Sequence, residues 1–363
     1  MNIERINDYF DKLEGKITLG LDGFVDEVWQ ILAKRSSRTD YVLFDKMRDF
    51  AKSVHDCGEG GYANEIIRKR RSYGGFTANT GKAAGRLGGN PTLIGMFGKN
   101  VIDPVFREFQ ETYNLITVAD PAICQIFEFV DGKLMLPFIE ETMDFNWDVL
   151  TAALSREQLA AAFDVDIVAI GYWSQLPAFD DLVTKLCENF LIEGRCMRMF
   201  YDFADIRKRD QVSLEHTLSV LAGLNSKMPM TLSLNEHEAG LLFSYMDRNF
   251  DWEDPENAEK DIDYVRKQTG LDELIIHTPY FAVASTVSEG TVTVMQRYCK
   301  NPVITTGAGD NFNGGYLAAS LGQGQLSLAE RLFVGNAVTG FYVQNGHSPN
   351  KMDLKHEMEK EWD

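Results

Sequence analysis

The chain has little of what proteins use to meet metals, membranes or nucleic acids. Its five cysteines, Cys57, Cys124, Cys187, Cys196 and Cys299, form no Cys-x-x-Cys pair and no metal-ligand spacing. An odd, scattered set argues against a disulfide frame and for a reducing compartment. The six histidines show no ligand spacing either, which leaves a zinc site without support. No apolar run approaches the ~20 residues of a membrane-spanning helix. The polar start MNIERINDYFDKLEGK has no hydrophobic signal region, so a cytoplasmic protein is expected. Basic residues are in deficit: 36 Lys and Arg stand against 54 Asp and Glu, a formal charge of −18. Such a surface repels nucleic acid and anionic membrane, and neither is expected as a partner. Anionic substrates would need local positive features that override this field.

What is present suits one large α/β domain. At 363 residues and 44% hydrophobic content, the chain can bury a sizeable core. Residues 3–13 read as a short amphipathic helix, 44–56 as another, and 79–87 as a third. After residue 150, apolar strands near 165–170, 197–201, 230–234, 273–277 and 303–305 alternate with helical stretches. That alternation predicts a doubly wound, mostly parallel sheet flanked by helices. Two hairpins do not fit it. One spans roughly 26–44 and turns at Ser36-Ser37; the other spans roughly 123–139 and turns at Asp131-Gly132. They are candidates for a small β lid inserted in a single domain over residues 1–363. The basic run Arg68-Lys69-Arg70-Arg71 reads as a solvated strand face that could also meet an acidic substrate.

The most informative stretch is NPVITTGAGDNFNGG, residues 301–315. Gly307 and Gly309 let backbone N–H groups approach a ligand, and the helix that follows offers unsatisfied N–H groups and a positive dipole end. Together they make an anion cradle. Asp310 at its lip would repel phosphate, but it makes sense as acceptor of a proton from an attacking hydroxyl. A helix cap on a tight turn explains the same residues equally well.

The string TTGAGDNFNGG resembles the C-terminal signature of the ribokinase-like (PfkB-type) carbohydrate kinases. The resemblance implies Asp310 as general base, with Gly307, Ala308 and Gly309 holding the transferring phosphoryl group. The second family signature is matched by Gly74, Gly75, Asn79, Ala83 and Leu87-Gly88 in GGFTANTGKAAGRLGG. It implies sugar binding there, although Asn79 also reads as a helix N-cap. In ITLGLDGFVDEV, Asp26 best fits the family's sugar-binding Asp, with Asp22 as rival. Asn235-x-x-Glu238 is similar to the family's element for Mg²⁺ and phosphates, Glu238 acting through water; it is equally a capping box. Asp202 and Arg207 resemble a strand-end pair at the sugar or phosphate end. Thr278 and Asn336 fall where relatives meet the nucleotide, although Asn336 reads equally as an ordinary buried or capping residue.

The family pattern is not complete. Ile304 stands where many relatives carry the acid of a monovalent-cation site, which argues against potassium activation. Tyr280 replaces a glycine, and His277-Thr278 followed by aromatics is similar to the ADP-dependent sugar kinases, so ADP stays open as donor beside ATP. The resemblance implies a ribokinase-like sugar kinase using ATP and Mg²⁺, working as a homodimer. A nucleoside or vitamin kinase of the same fold, and a non-catalytic sugar- or nucleotide-binding regulator, are the alternatives.

Overall fold

The computed structural model describes residues 1–322 and 326–360. Strands in chain order are β1 (Ile17–Gly20), β2 (Phe24–Arg35), β3 (Tyr41–Leu43), β4 (Ile66–Gly74), β5 (Pro91–Gly95), β6 (Asn114–Thr117) and β7 (Ala122–Phe129). They continue as β8 (Gly132–Phe138), β9 (Ile167–Gly171), β10 (Arg198–Asp202), β11 (Met230–Asn235), β12 (Glu273–His277), β13 (Phe281–Thr286) and β14 (Gly290–Met295).

The main sheet runs β14-β13-β12-β11-β10-β9-β1-β5-β6. From β12 to β6 every pairing is parallel; β13 and β14 add an antiparallel edge. Helices cover both faces, and this is why Ile167–Gly171 is buried at every position instead of alternating. Two hydrophobic clusters fill the two sides, one built around Trp173, Phe179 and Tyr201, the other around Phe76, Phe200 and Phe312. Strand order reverses between β1 and β9, so the crevice at their carboxyl ends is the place for a ligand. Among the described residues no helix is long and apolar enough to cross a membrane.

A second sheet, β3-β2-β7-β8 with β4 paired to β2, lies outside this path. It contains both hairpins and, as β4, the solvated strand face read at Arg68–Arg71, which extends to Ile66–Gly74. β4 carries Arg68 to Arg71, and its charged residues hide the apolar alternation that marks a strand.

The expectation of a strand at 303–305 fails. Pro302 has no N–H for a ladder. The N–H groups of Val303 and Ile304 both point at the Val343 carbonyl, at 2.8 and 3.5 Å, near the end of the Leu328–Asn345 helix. The GAGD turn therefore follows a loop, not a strand, and the β13–β14 hairpin takes the sheet edge. Leu232, fully buried in β11, should lose about 2–5 kcal/mol of stability on truncation to Ala. Val303→Ala, at 72% exposure, should change stability by less than about 0.5 kcal/mol. Urea unfolding measures both, and a large loss at Val303 would restore the strand.

Candidate active site

Gly307 adopts a left-handed conformation, φ +83°, and is the N-cap of the Ala308–Ala319 helix without a side chain to cap it. The Tyr342 hydroxyl lies 3.0 Å from where a Cβ on Gly307 would stand, so a larger residue is excluded twice over. The first bond of the helix runs from Asn311 N–H to the Gly307 carbonyl. The N–H groups of Gly309 and Asp310 precede that ladder, as an anion cradle requires. The Ala308 N–H does not join them; it turns back onto Thr305 O at 3.1 Å.

Asp310 sits in this first turn and is buried. Burial raises its pKa well above the usual carboxylate value, and the nearby Asp202, Asp22 and Asp26 add to the rise. Opposing this, the Asn79 amide donates to Asp310 Oδ2 at 2.9 Å. Asn79 reaches it because the Phe76–Arg86 helix packs closely on the Ala308–Ala319 helix. At Gly314 a Cβ would stand 2.4 Å from Ala83 Cβ. Next to it, Asn313 donates to Asp202 Oδ2 at 2.7 Å and accepts from the Ser233 hydroxyl. Asp310 and the NFNGG that follows it thus fix the helix against both neighbours.

Asn79 is not an N-cap; its own N–H bonds Gly75 O inside the helix. The cap comes from Asp22 just past β1, whose Oδ1 accepts from the Thr77 N–H at 2.9 Å and from the Thr77 hydroxyl. The Gly74–Gly75 pair makes room for carboxylates. A Cβ on Gly75 would fall 2.1 Å from Asp22 Oδ2, and one on Gly74 would fall 2.7 Å from Asp26 Oδ2. Burial lifts the pKa of both acids to about 6, although Arg70 and Lys133 hold Asp26 back.

Asn235 and Glu238 form the capping box and also line the central cavity. The Asn235 N–H and amide donate to Glu238 at 3.0 and 2.7 Å, while Asn235 Oδ1 accepts from the N–H groups of His237 and Glu238. Burial, then Asp202, pushes Glu238 well above its usual value. Asp202, at the end of β10, is lifted to about 6, first by burial. Arg207 does not serve Asp202: it pairs with Asp205 at 2.7 and 3.0 Å. Thr278 lines the cavity too, its hydroxyl accepting from the N–H groups of Tyr280 and Phe281 to close the turn after β12. Asn336 lies elsewhere. Its amide donates to the carbonyls of Val294 and Met295, tying its helix to β14, and it borders a small cavity that shares Gln296 and Arg297 with the larger one.

Two further residues of the site were not among the sequence candidates for it. Tyr172, one position past β9, lies close enough to Asp310, Asp22, Asp202 and Asp26 for their charge, after burial, to raise its pKa. His277, at the end of β12, lies against Gly309 and packs at 4.7 Å on Phe312; burial alone lowers it to about 4, so it is neutral. Both sit at strand ends that only the assembled sheet brings together.

Asp310 lines the larger of two cavities, and its partner Asn79 lines the smaller. One of about 600 Å³ is bounded by Tyr172, Asp202, Asn235, Glu238, Thr278 and Gly307–Asp310. One of about 240 Å³, under the second sheet, is bounded by Asp26, Asn79, Lys133, Thr306 and Tyr342. The hydrogen bond from Asn79 to Asp310 joins them.

A model of the prokaryotic ketohexokinase family matches residues 4–361. A ketohexokinase of Haloferax volcanii is 30% identical over 353 residues, covering 94% of this chain and 90% of its own length. Solved structures with the same fold include Escherichia coli phosphofructokinase-2 in complex with substrates and products, with a TM-score of 0.64, 15% identity and coverage of 95% and 98%. A Methanocaldococcus jannaschii nucleoside kinase of the ribokinase family has a TM-score of 0.62, 16% identity and coverage of 96% and 99%.

Because its folded pKa is raised, Asp22 keeps a proton in the folded state to higher pH than in the unfolded chain. The stability this gives is full below about pH 4 and lost as pH rises through about 6. Asp22→Asn cannot titrate. Its unfolding free energy should fall less between pH 4 and 7 than that of the wild type, by on the order of 2–3 kcal/mol. Urea titrations across that range give the slope, and an unchanged slope would contradict the burial argument.

Proposed function

The chain belongs to the family of prokaryotic ketohexokinases, within the ribokinase-like carbohydrate kinases, and we propose that it transfers the γ-phosphoryl group of ATP to a hydroxyl of a ketohexose. The observation that carries the chemistry is Asp310, a buried carboxylate in the first turn of a helix, lining the larger cavity and held by Asn79 of the smaller. In this reading the sugar lies in the smaller cavity beneath the second sheet, which acts as the lid, with Asp26 and Asn79 on its hydroxyls. ATP lies in the larger cavity along Asn235 and Thr278. The acceptor hydroxyl gives its proton to Asp310 as its oxygen attacks the γ-phosphorus. The N–H groups of Gly309 and Asp310 hold the phosphoryl oxygens. A raised pKa makes Asp310 a stronger base once it is ionised, and the Asn79 hydrogen bond favours that ionised form. The remainder of the rate comes from holding the two substrates in line.

The residues of the larger cavity fit Mg²⁺. Asp202 and Glu238 are buried carboxylates lifted first by burial, with Asp202 adding to the rise at Glu238 and Asp22 to that at Asp202, and hard oxygen donors suit this cation. Among the described residues no group of three or more acid, histidine or cysteine side chains could enclose a metal ion. When bound, Mg²⁺ neutralises charge on the β- and γ-phosphates.

We further propose a homodimer and a cytoplasmic place of work. β8 lies at the end of the lid sheet and exposes Met135, Leu136 and Phe138, an edge that a second copy could cover. The free thiols suit a reducing compartment.

Asp310→Asn should retain binding of sugar and nucleotide but lose about 10²–10⁴-fold in kcat on a ketohexose with ATP. Near-normal turnover would remove Asp310 from the mechanism. Sedimentation equilibrium at micromolar concentration should give twice the chain mass, and Phe138→Lys should shift it toward the monomer. A monomeric wild type would refute the dimer.

A further inference from the structure

The two cavities differ in charge. The larger is bordered by five acids, Asp202, Asp205, Glu236, Glu238 and Asp310, against one cation, Arg297. The smaller is bordered by Arg70, Lys82 and Lys133 against Asp26. A neutral sugar has no need of those cations, and in a chain of charge −18 their convergence calls for a cause.

Strand register puts two of them on one face. Asp26 pairs with Ser72 and Cys124, Val28 with Arg70 and Ile126, and Glu128 with Lys133. Paired residues share a face and repeat every second position, so these rows look into the smaller cavity together. Glu128 joins the two cations, accepting from Arg70 at 3.0 Å and standing 3.6 Å from Lys133. Lys133 then crosses to the opposite wall, where its ammonium donates to the Thr306 hydroxyl at 3.2 Å. Thr306 is held in turn by the Tyr342 hydroxyl, which donates to its carbonyl at 2.7 Å. Thr305 borders the larger cavity and Thr306 the smaller, so this loop is the partition between them. Lys133 thus reaches from the second sheet to the partition, one residue from Gly307.

We propose that Lys133, braced by Glu128 and Arg70, binds the phosphoryl group on the acceptor side as it arrives. The proposal rests on the kinase reading above. In the transfer, the bond between the γ-phosphorus and the bridging oxygen breaks with its electron pair left on ADP. The bond from acceptor oxygen to phosphorus forms, and the hydroxyl proton goes to Asp310. The phosphoryl oxygens finish on the Thr306 side of the partition. A lysine ammonium has three donors; one is used by Thr306, and the others can meet those oxygens while Glu128 holds the charge in place. The second sheet therefore senses phosphate on the sugar, and not the sugar alone.

Calorimetry on the full-length protein without nucleotide tests this with fructose, fructose 1-phosphate and fructose 6-phosphate as probes. For the wild type, one ester should bind more tightly than fructose. Lys133→Met should weaken that ester about 10- to 100-fold, the worth of one charge-assisted hydrogen bond, and leave fructose affinity unchanged. Lys133→Arg should recover part of the loss. In steady state, Lys133→Met should lower kcat while KM for fructose stays within about twofold. Equal weakening of fructose and both esters would make Lys133 a structural brace and overturn the proposal, as would unchanged binding of both esters. If the wild type phosphorylates fructose 6-phosphate with a higher kcat/KM than fructose, the cations read a phosphate already on the acceptor, and the assignment to the arriving group falls. Failure of the kinase reading has a different signature, no turnover of any ketohexose by the wild type, and the calorimetric comparison does not depend on turnover.

Discussion

The arrangement depends on one costly feature, the burial of several carboxylates at the carboxyl ends of a parallel sheet. Asp22, Asp202, Glu238 and Asp310 are each nine-tenths or more buried, and burial is the first cause of every one of their raised pKa values. Unpaired charges in such a place would be costly. The fold answers with neutral donors. Thr77 serves Asp22, Asn79 serves Asp310, Asn235 serves Glu238, and Asn313 with the Ala204 N–H serves Asp202. Such donors steady the acids and leave them hungry for cations and protons, which is the state a phosphoryl-transfer site requires before its substrates arrive.

That constraint sets the packing around it. Gly74 and Gly75 are glycines because the carboxylates of Asp26 and Asp22 lie where their side chains would be. Gly314 lets the Asp310 helix settle onto the helix that carries Asn79. At the far end of the same helix, Tyr316 bonds Glu273, a buried acid at the start of β12 that also holds Arg198 and accepts from Thr231 at 2.9 Å. The helix that carries Asp310 is therefore tied to the sheet at both ends, and the position of its first turn is set by contacts well away from the chemistry.

The second sheet answers a different need. It covers a cavity of about 240 Å³, and it keeps water from that space only if it stays close to the main body. The Lys133–Thr306 contact is one point of attachment.

Much of this could be read from the sequence. The alternation of apolar runs with helical segments announced the parallel sheet, because strands buried on both faces must be apolar throughout. The GAGD turn, the glycine pair and Asn235-x-x-Glu238 were visible because glycine and capping residues answer local backbone needs that the sequence carries with it. Other features depended on distance in the chain. The 303–305 strand was wrong because a short apolar run does not say whether a helix end will take its N–H groups. Asn336 read equally as a nucleotide contact and as a buried structural residue, and only the fold shows that its amide serves two carbonyls of β14. Of β4 only the charged face at Arg68–Arg71 was legible, because its exposed residues carry no apolar alternation that would mark its ends. Tyr172 and the role of Lys133 had no local signature, and His277 stood out only in a similarity that bears on the phosphoryl donor. Sequence determined which segments are strands, helices and turns, since those follow from short-range periodicity and backbone chemistry. Only the tertiary structure decided which acids share a site and which cation faces them, because burial and charge proximity are set by residues hundreds of positions apart.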